Sequence, residues 1–508
     1  MFAITNSIGM FGMNAFPVTI EAEVTRGAPQ FEISGLPDVG IRESRERVRS
    51  AFTSIGMQFP KGKVLINLAP ADVRKAGSSF DVAIFISLMQ ATDVLPLRMP
   101  HSVFIGELGL HGKIRGVRGV MSMTMLARNN GFDEIYVPME NLKEASVVDK
   151  IQVYGVSDVD MLMSHLVDQE VLHPAPLYVP DRKDPLADRM DFKDVRGQFK
   201  AKSGIELAAA GGHNVLLIGS PGSGKSMLAN RIPTILPEMT HEEVLETSNV
   251  YSVAGQLPPD RPLIVRRPFR SPHHTTSGAG LVGGGTIPTP GEISLAHNGV
   301  MFLDEMPEFK RSTLEMLRQP LENRKVVISR ASGTAEYPCN IMLVGAMNPC
   351  PCGYYGSPYH KCTCTEKQIK QYISRISGPL LERFDMHIDV DPIPYEEFAS
   401  KEPAEDSAQI RERVNFARKQ QEKRYAGLNI YCNSMIPDHL LDEFCPMTPQ
   451  AEKLFSQMYQ HYKMSARTGT RIKKVARSSA DLNGNEEIDR KDIAVAVQFR
   501  GFDSRYLK

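Results

Sequence analysis

Eight consecutive residues carry the clearest chemical signal in the chain: Gly219, Ser220, Pro221, Gly222, Ser223, Gly224, Lys225 and Ser226. They fit G-x-x-x-x-G-K-[ST], a spacing in which glycines let successive backbone N–H groups turn inward around phosphate oxygens. The apolar run before them, ending at Ile218, predicts a buried strand; Met227 to Arg231 predicts the start of a helix. The helix N-terminus adds partial positive charge at the same point. In this pattern Lys225 is suited to reach the β- and γ-phosphates and the Ser226 hydroxyl to ligate Mg²⁺. The implied ligands are a nucleoside triphosphate such as ATP, and Mg²⁺.

A second strand-like run, Gly299 to Leu303, ends in two acids, Asp304 and Glu305. In a parallel sheet the carboxyl end of such a strand faces the nucleotide. Asp304 then suits the Mg²⁺ shell, and Glu305 suits polarisation of an attacking water. A third run, Ile341 to Met347, ends in Asn348, a polar group fit to contact the γ-phosphate or orient that water. Arg383 and Arg467 are cations of interest, but spacing alone brings neither to the phosphates.

Four thiols, Cys350, Cys352, Cys362 and Cys364, lie in two close pairs after Asn348. Soft ligands so grouped suit tetrahedral Zn²⁺ in a structural site, with His360 as an alternative ligand. The spacing is C-x-C rather than C-x-x-C, and four ordinary thiols remain the competing reading. The other cysteines, 339, 432 and 445, are scattered.

Around these groups the 508 residues suffice for two to four domains. Residues 1–166 alternate strand-like runs (Val18–Val24, Lys63–Leu68) with helical stretches such as Ile41–Ile55. Residues 167–191 are rich in proline and charge and predict an exposed linker. Strand and helix alternate over 192–400, with a cysteine loop at 348–366, and 401–508 predicts a small helical lid. The expected fold class is α/β: a P-loop domain with a parallel sheet flanked by helices, a helical lid, and an α+β N-terminal domain. Lys plus Arg equals Asp plus Glu, 59 against 59, so no chain-wide electrostatic footprint for nucleic acid exists. No secretory signal or membrane-length apolar run is visible, which predicts a cytoplasmic protein without a membrane partner.

The P-loop, Leu303-Asp304-Glu305 and Asn348 resemble the Walker A, Walker B and sensor-1 elements of AAA+ ATPases. Arg270 to Ser277, Pro290 to His297 and Asn348 to Gly353 resemble the magnesium-chelatase-like branch, and the whole chain resembles the YifB/ComM family. That resemblance implies a homohexameric ring. Arg383 becomes its arginine finger, reaching a neighbour's ATP, and Arg467 its sensor 2, acting on its own subunit's nucleotide. Leu68 to Asp81, Phe104 to Leu108 and Gly131 to Pro138 resemble the proteolytic domain of Lon, with Ser79 near the nucleophile's position. The segment expected to supply the lysine, Val120-Met121-Ser122-Met123-Thr124, has no basic residue. A serine without its base is a weak nucleophile, so a binding or assembly role is expected, with Lys75 and Lys113 the nearby alternatives.

In related ring ATPases, insertions between the Walker elements and after Walker B point into the central channel. The corresponding stretches here are Glu242–Ala296 and a hairpin at Leu321–Arg330, where Arg324, Lys325 and Arg330 would track the phosphates of DNA. The resemblance thus implies an ATP-driven helicase or branch-migration motor acting on single-stranded or branched DNA during recombination of taken-up DNA. The alternatives are a chelatase-type ATPase remodelling a protein for metal insertion, and a regulatory ATPase with a vestigial peptidase domain.

Overall fold

The computed structural model describes residues 1–96, 99–180, 190–285, 288–330, 333–399 and 404–500. The N-terminal part is a mixed seven-stranded sheet: β1 (Phe2–Phe11), β2 (Asn14–Thr25), β3 (Gln30–Ser34), β4 (Lys63–Ala69), β5 (Ser102–Phe104), β6 (Glu134–Pro138) and β7 (Gln152–Val156), in the order β3-β4-β2-β1-β5-β6-β7. β1 and β2 form an antiparallel hairpin, whereas β5, β6 and β7 run parallel. Alternating apolar residues along β2 and β4 (Val18, Ile20, Ala22; Val64, Ile66, Leu68) bury one face. Helices α1 (Val39–Ser54) and α2 (Asp81–Ala91) cover it, and α2 is buried along its whole length. Burial raises the Asp81 pKa, and the carboxylate is held by Arg47 at 2.6 Å and by the Leu108 N–H.

Helix α3 (Val120–Asn129) carries this unit onto the next. Ser122 donates to Asn249 Oδ1 at 2.6 Å, and buried Glu144 accepts from Ser252. Met121 and Val147 pack with Met239, Val244 and Leu263. The first half of the expected linker is docked rather than free, for Ala175 N–H donates to Val153 O and Tyr178 N–H to Ser146 O. Its central residues 181–189 lie outside the described residues.

The second unit is an all-parallel five-stranded sheet. β8 (Val215–Ile218), β9 (Phe269–Arg270), β10 (Val300–Leu303), β13 (Met342–Met347) and β14 (Met386–Asp389) are ordered β9-β10-β13-β8-β14. Between β10 and β13 stands an antiparallel hairpin of β11 (Lys325–Arg330) and β12 (Gly333–Pro338). β8, β10 and β13 are buried throughout, as strands covered on both faces must be. Helices α4 (Phe199–Gly211), α5 (Lys225–Ile235), α6 (His241–Ala254) and α7 (Glu366–Ile373) complete the unit.

Helices α8 (Ser407–Arg424) and α9 (Ala466–Leu482) lead the C-terminal part. They bury Ile410, Val414, Ile472, Val475 and Ala476 against α4, in the core shared with β8 and β14. Buried polar bonds fix the contact: His213 Nε2 meets Ser478 Oγ at 2.7 Å, and Gln421 donates to Ala210 O at 2.9 Å. The helical C-terminal part thus packs on α4, the helix that precedes β8, and α8 also packs on α5. Among the described residues, no helix is long and apolar enough to cross a membrane.

Candidate active site at the phosphate-binding loop

β8 pairs with β13 on one side and β14 on the other, so its carboxyl end opens at the point where the strand order reverses. The loop Gly219–Ser226 fills that opening. Gly224 sits at φ 97° as the N-cap of α5, a left-handed conformation that frees the first N–H groups of the helix. A cavity of about 800 Å³ is lined by this loop, Asp304, Glu305, Glu308, Asn348, Gln371, Tyr372 and Arg375 among others.

The expected residues converge here. Lys225 Nζ donates to Gly219 O at 2.8 Å, Ser220 O at 2.9 Å and Asn348 Oδ1 at 3.2 Å. Burial lowers the Lys225 pKa, opposed by the charges of Asp304 and Glu305. Ser226 Oγ donates to Asp304 Oδ2 at 2.7 Å. A hydroxyl and a carboxylate sharing one corner at the helix N-terminus are the donor set Mg²⁺ takes beside a triphosphate. Glu305 follows at φ 47°, a strained backbone for a non-glycine residue and a feature that clusters at functional sites. Its carboxylate faces His274 at 3.9 Å. Two motifs that carried the chelatase-like resemblance are joined through Arg270, which holds Glu292 by two 2.7 Å bonds.

The two expected arginines lie elsewhere. Neither Arg383 nor Arg467 lines the phosphate-loop cavity; both line a second one of about 660 Å³, with Arg324, Arg471 and Lys474. Arg383 is paired with Glu322, and Arg467 bonds Glu322 at 2.9 Å and Glu382 at 3.1 Å. Burial and the neighbouring Arg467 lower the Arg383 pKa. Arg467 stands at the start of α9, which packs on α4.

The four cysteines come together, their sulfurs all within 4.8 Å of one another, at a size and donor chemistry that fit one Zn²⁺. The loop backs onto the nucleotide site: a Cβ on Gly353 would lie 2.5 Å from Pro221. His360 is not in the cluster; its ring lies 4.8 Å from that of Tyr354.

The basic hairpin forms, with a strand 333–338 that the sequence reading did not mark and with Leu321–Asn323 helical instead. Its cations diverge. Lys325 Nζ pairs with Glu336 Oε2 at 3.0 Å across the ladder, Arg330 is exposed, and Arg324 turns to Asn340 and the second cavity. The hairpin is braced on both sides: Gly333 lies against the Phe11 ring of the N-terminal unit, and Tyr337 donates to Pro288 O at 2.6 Å.

In the N-terminal unit, Ser79 is buried and both alternative lysines are engaged elsewhere. Lys75 Nζ bonds Pro70 O, and Lys113 Nζ bonds Asp158 at 3.1 Å.

The P-loop, acid-ended β10, Asn348 and five-stranded parallel sheet define an AAA+-type ATPase domain. The family described as magnesium chelatase, subunit ChlI matches residues 191–398, its C-terminal domain matches 404–500, and the family described as subunit ChlI of Mg-chelatase matches 20–141. The chain is 39% identical over 505 residues to YifB of Escherichia coli strain K12, spanning 99% of this chain and 97% of that one. It is 39% identical over 503 residues to the competence protein ComM of Haemophilus influenzae, spanning 98% and 97%. A Lon protease of Finegoldia magna is 25% identical over 177 residues, covering 32% of this chain and 23% of the protease. The chain belongs to the YifB/ComM family of magnesium-chelatase-like AAA+ proteins.

Sequence reasoning missed Glu308, Gln371 and Arg375, which share the phosphate-loop cavity. They belong to no motif; α7 brings in Gln371 and the turn after it brings in Arg375, with Ile369 and Ile373 buried in the core.

Proposed function

We propose that this protein hydrolyses ATP as a homohexameric ring and uses the energy to translocate on DNA, driving branch migration or unwinding during recombination of taken-up DNA. The observation that carries the ring is the separation of the phosphate-loop cavity from the Arg383–Arg467 cavity. A site holding Lys225, Asp304, Glu305 and Asn348, with the expected finger Arg383 and the expected sensor 2 Arg467 clustered elsewhere on the same chain, favours completion by a neighbour. In this reading Arg383 and Arg467 both reach the adjacent subunit's phosphates, so hydrolysis depends on assembly. Ser226 and Asp304 would hold Mg²⁺, which when bound neutralises phosphate charge. Cys350, Cys352, Cys362 and Cys364 would hold a structural Zn²⁺. Glu305 orients and deprotonates the attacking water, and Asn348 positions it.

The DNA track is supported by the competence protein ComM among the full-length relatives and by the exposed Arg330 hairpin. ATPase assays with single-stranded, duplex and four-way-junction DNA test it: stimulation by at least one is expected, and stimulation by none overturns the motor reading. A second reading, remodelling of a protein partner by a chelatase-type ATPase, is favoured by the family matched over 191–398. It would follow from hydrolysis stimulated by a protein and not by DNA.

A further inference from the structure

The cavity around the phosphate loop holds two cationic side chains: Lys225 from the loop, and Arg375 from the turn just beyond α7. Arg375 Nη1 pairs with Glu308 Oε1 at 2.8 Å, both side chains about half exposed. An exposed ion pair of this kind is ordinarily worth little to stability. This pair, however, lies on a cavity wall whose other ionised groups are Lys225 and the carboxylates of Asp304 and Glu305. A guanidinium has five donors in a planar fork and matches phosphate oxygens two at a time.

The wall is built to hold Arg375 in register. Thr365 and Gln368 form a capping box that starts α7, and Ile369, Tyr372 and Ile373 anchor it in the core. Burial pushes the Tyr372 phenol up to about 12. The Arg375 guanidinium lies 5.9 Å from the Tyr372 ring. Tyr372, Arg375 and Asn348, whose side chain meets Lys225, line the same cavity.

We propose that Arg375 is the cation by which each subunit binds the terminal phosphate of its own nucleotide, with Glu308 holding the guanidinium until that phosphate competes for it. This rests on the ATP reading of the phosphate loop and not on the DNA track. It distinguishes Arg375, acting within one chain, from Arg383 and Arg467, which serve a neighbour.

The test uses the full-length protein and measures binding of Mg²⁺–AMP-PNP and Mg²⁺–ADP to wild type, Arg375→Ala, Arg375→Lys and Glu308→Gln. Arg375→Ala should weaken AMP-PNP about tenfold or more, with ADP affinity within about twofold of wild type. Arg375→Lys should recover part of that loss, and Glu308→Gln should bind AMP-PNP at least as well as wild type. Equal losses for both nucleotides, no loss for either, or a Glu308→Gln defect matching Arg375→Ala would overturn the proposal. Mixed assemblies locate the action. Lys225→Ala with Arg383→Ala subunits should regain hydrolysis, and Lys225→Ala with Arg375→Ala subunits should not; recovery in the second mixture overturns the within-chain role. Wild type binding neither nucleotide would instead overturn the ATP reading itself.

Discussion

The Ser226 hydroxyl donates to Asp304 Oδ2 across 2.7 Å, joining the phosphate loop to the end of β10 at the corner where a divalent ion would sit. With Lys225 bonded to Asn348 at 3.2 Å, the ends of three strands are joined at the phosphate loop.

Glu305→Gln should reduce ATP hydrolysis about 100-fold or more while leaving nucleotide binding intact, because the amide keeps the shape and loses the base. Steady-state phosphate release together with equilibrium binding checks it. Weakened binding at an unchanged turnover rate would remove Glu305 from the chemistry.

Arg383→Ala and Arg467→Ala should each retain ATP binding and lose hydrolysis, by about 10³-fold for a true finger. Turnover per subunit in wild type should also rise with protein concentration until the ring is complete. Concentration-independent turnover would argue for a self-sufficient subunit.

At the hairpin, Arg330→Ala should weaken DNA binding more than Lys325→Ala, because Glu336 already neutralises Lys325 at 3.0 Å. Glu336→Gln should strengthen binding and steepen its salt dependence as Lys325 is released. Salt titrations of fluorescent DNA read both effects, and an indifferent hairpin would lose its claim as a contact.

Purified protein should carry one zinc per chain by elemental analysis, with Cys352→Ser and Cys362→Ser losing it and melting at lower temperature. Metal-free wild type that is equally stable would leave four ordinary thiols.

Acid sensitivity should begin near neutrality. Burial, with Arg500 and Arg471 nearby, holds His387 well below its usual 6.5. The unfolded chain binds this proton more readily than the native one, so the contribution is complete above about pH 6.5 and declines as pH falls, by at most about 1.4 kcal/mol per pH unit. His387→Gln should flatten the denaturation midpoint between about pH 6.5 and 5. Asp385, buried but held below the usual carboxylate range by His213 and Arg471, loses its own contribution at still lower pH.

The nucleotide site was legible because its parts are local: a glycine spacing, a buried strand before it, acids at a strand end. The cysteine cluster was legible for the same reason. What spacing could not supply was long-range placement. Arg467 stands on a helix that packs on α4, where its guanidinium meets Glu322 and Glu382 rather than lining the phosphate-loop cavity. Arg375 is one basic residue past a short helix, and only the burial of Ile369 and Tyr372 turns it into the cavity. β12 escaped notice because Thr334 and Glu336 alternate with only Ala335 and Tyr337 on the inner face.

One packing choice narrows this protein's future. Val120, Met121, Ser122, Met123 and Thr124, the stretch where a Lon-type lysine would be sought, are all buried, and Met121 and Ser122 meet the ATPase unit. An ammonium introduced there would be enclosed by the core or wedged against α6, at a desolvation cost of several kcal/mol. A lysine base at this stretch would thus require the two units to separate first. The stretch is part of the contact between the N-terminal sheet and the ATPase unit.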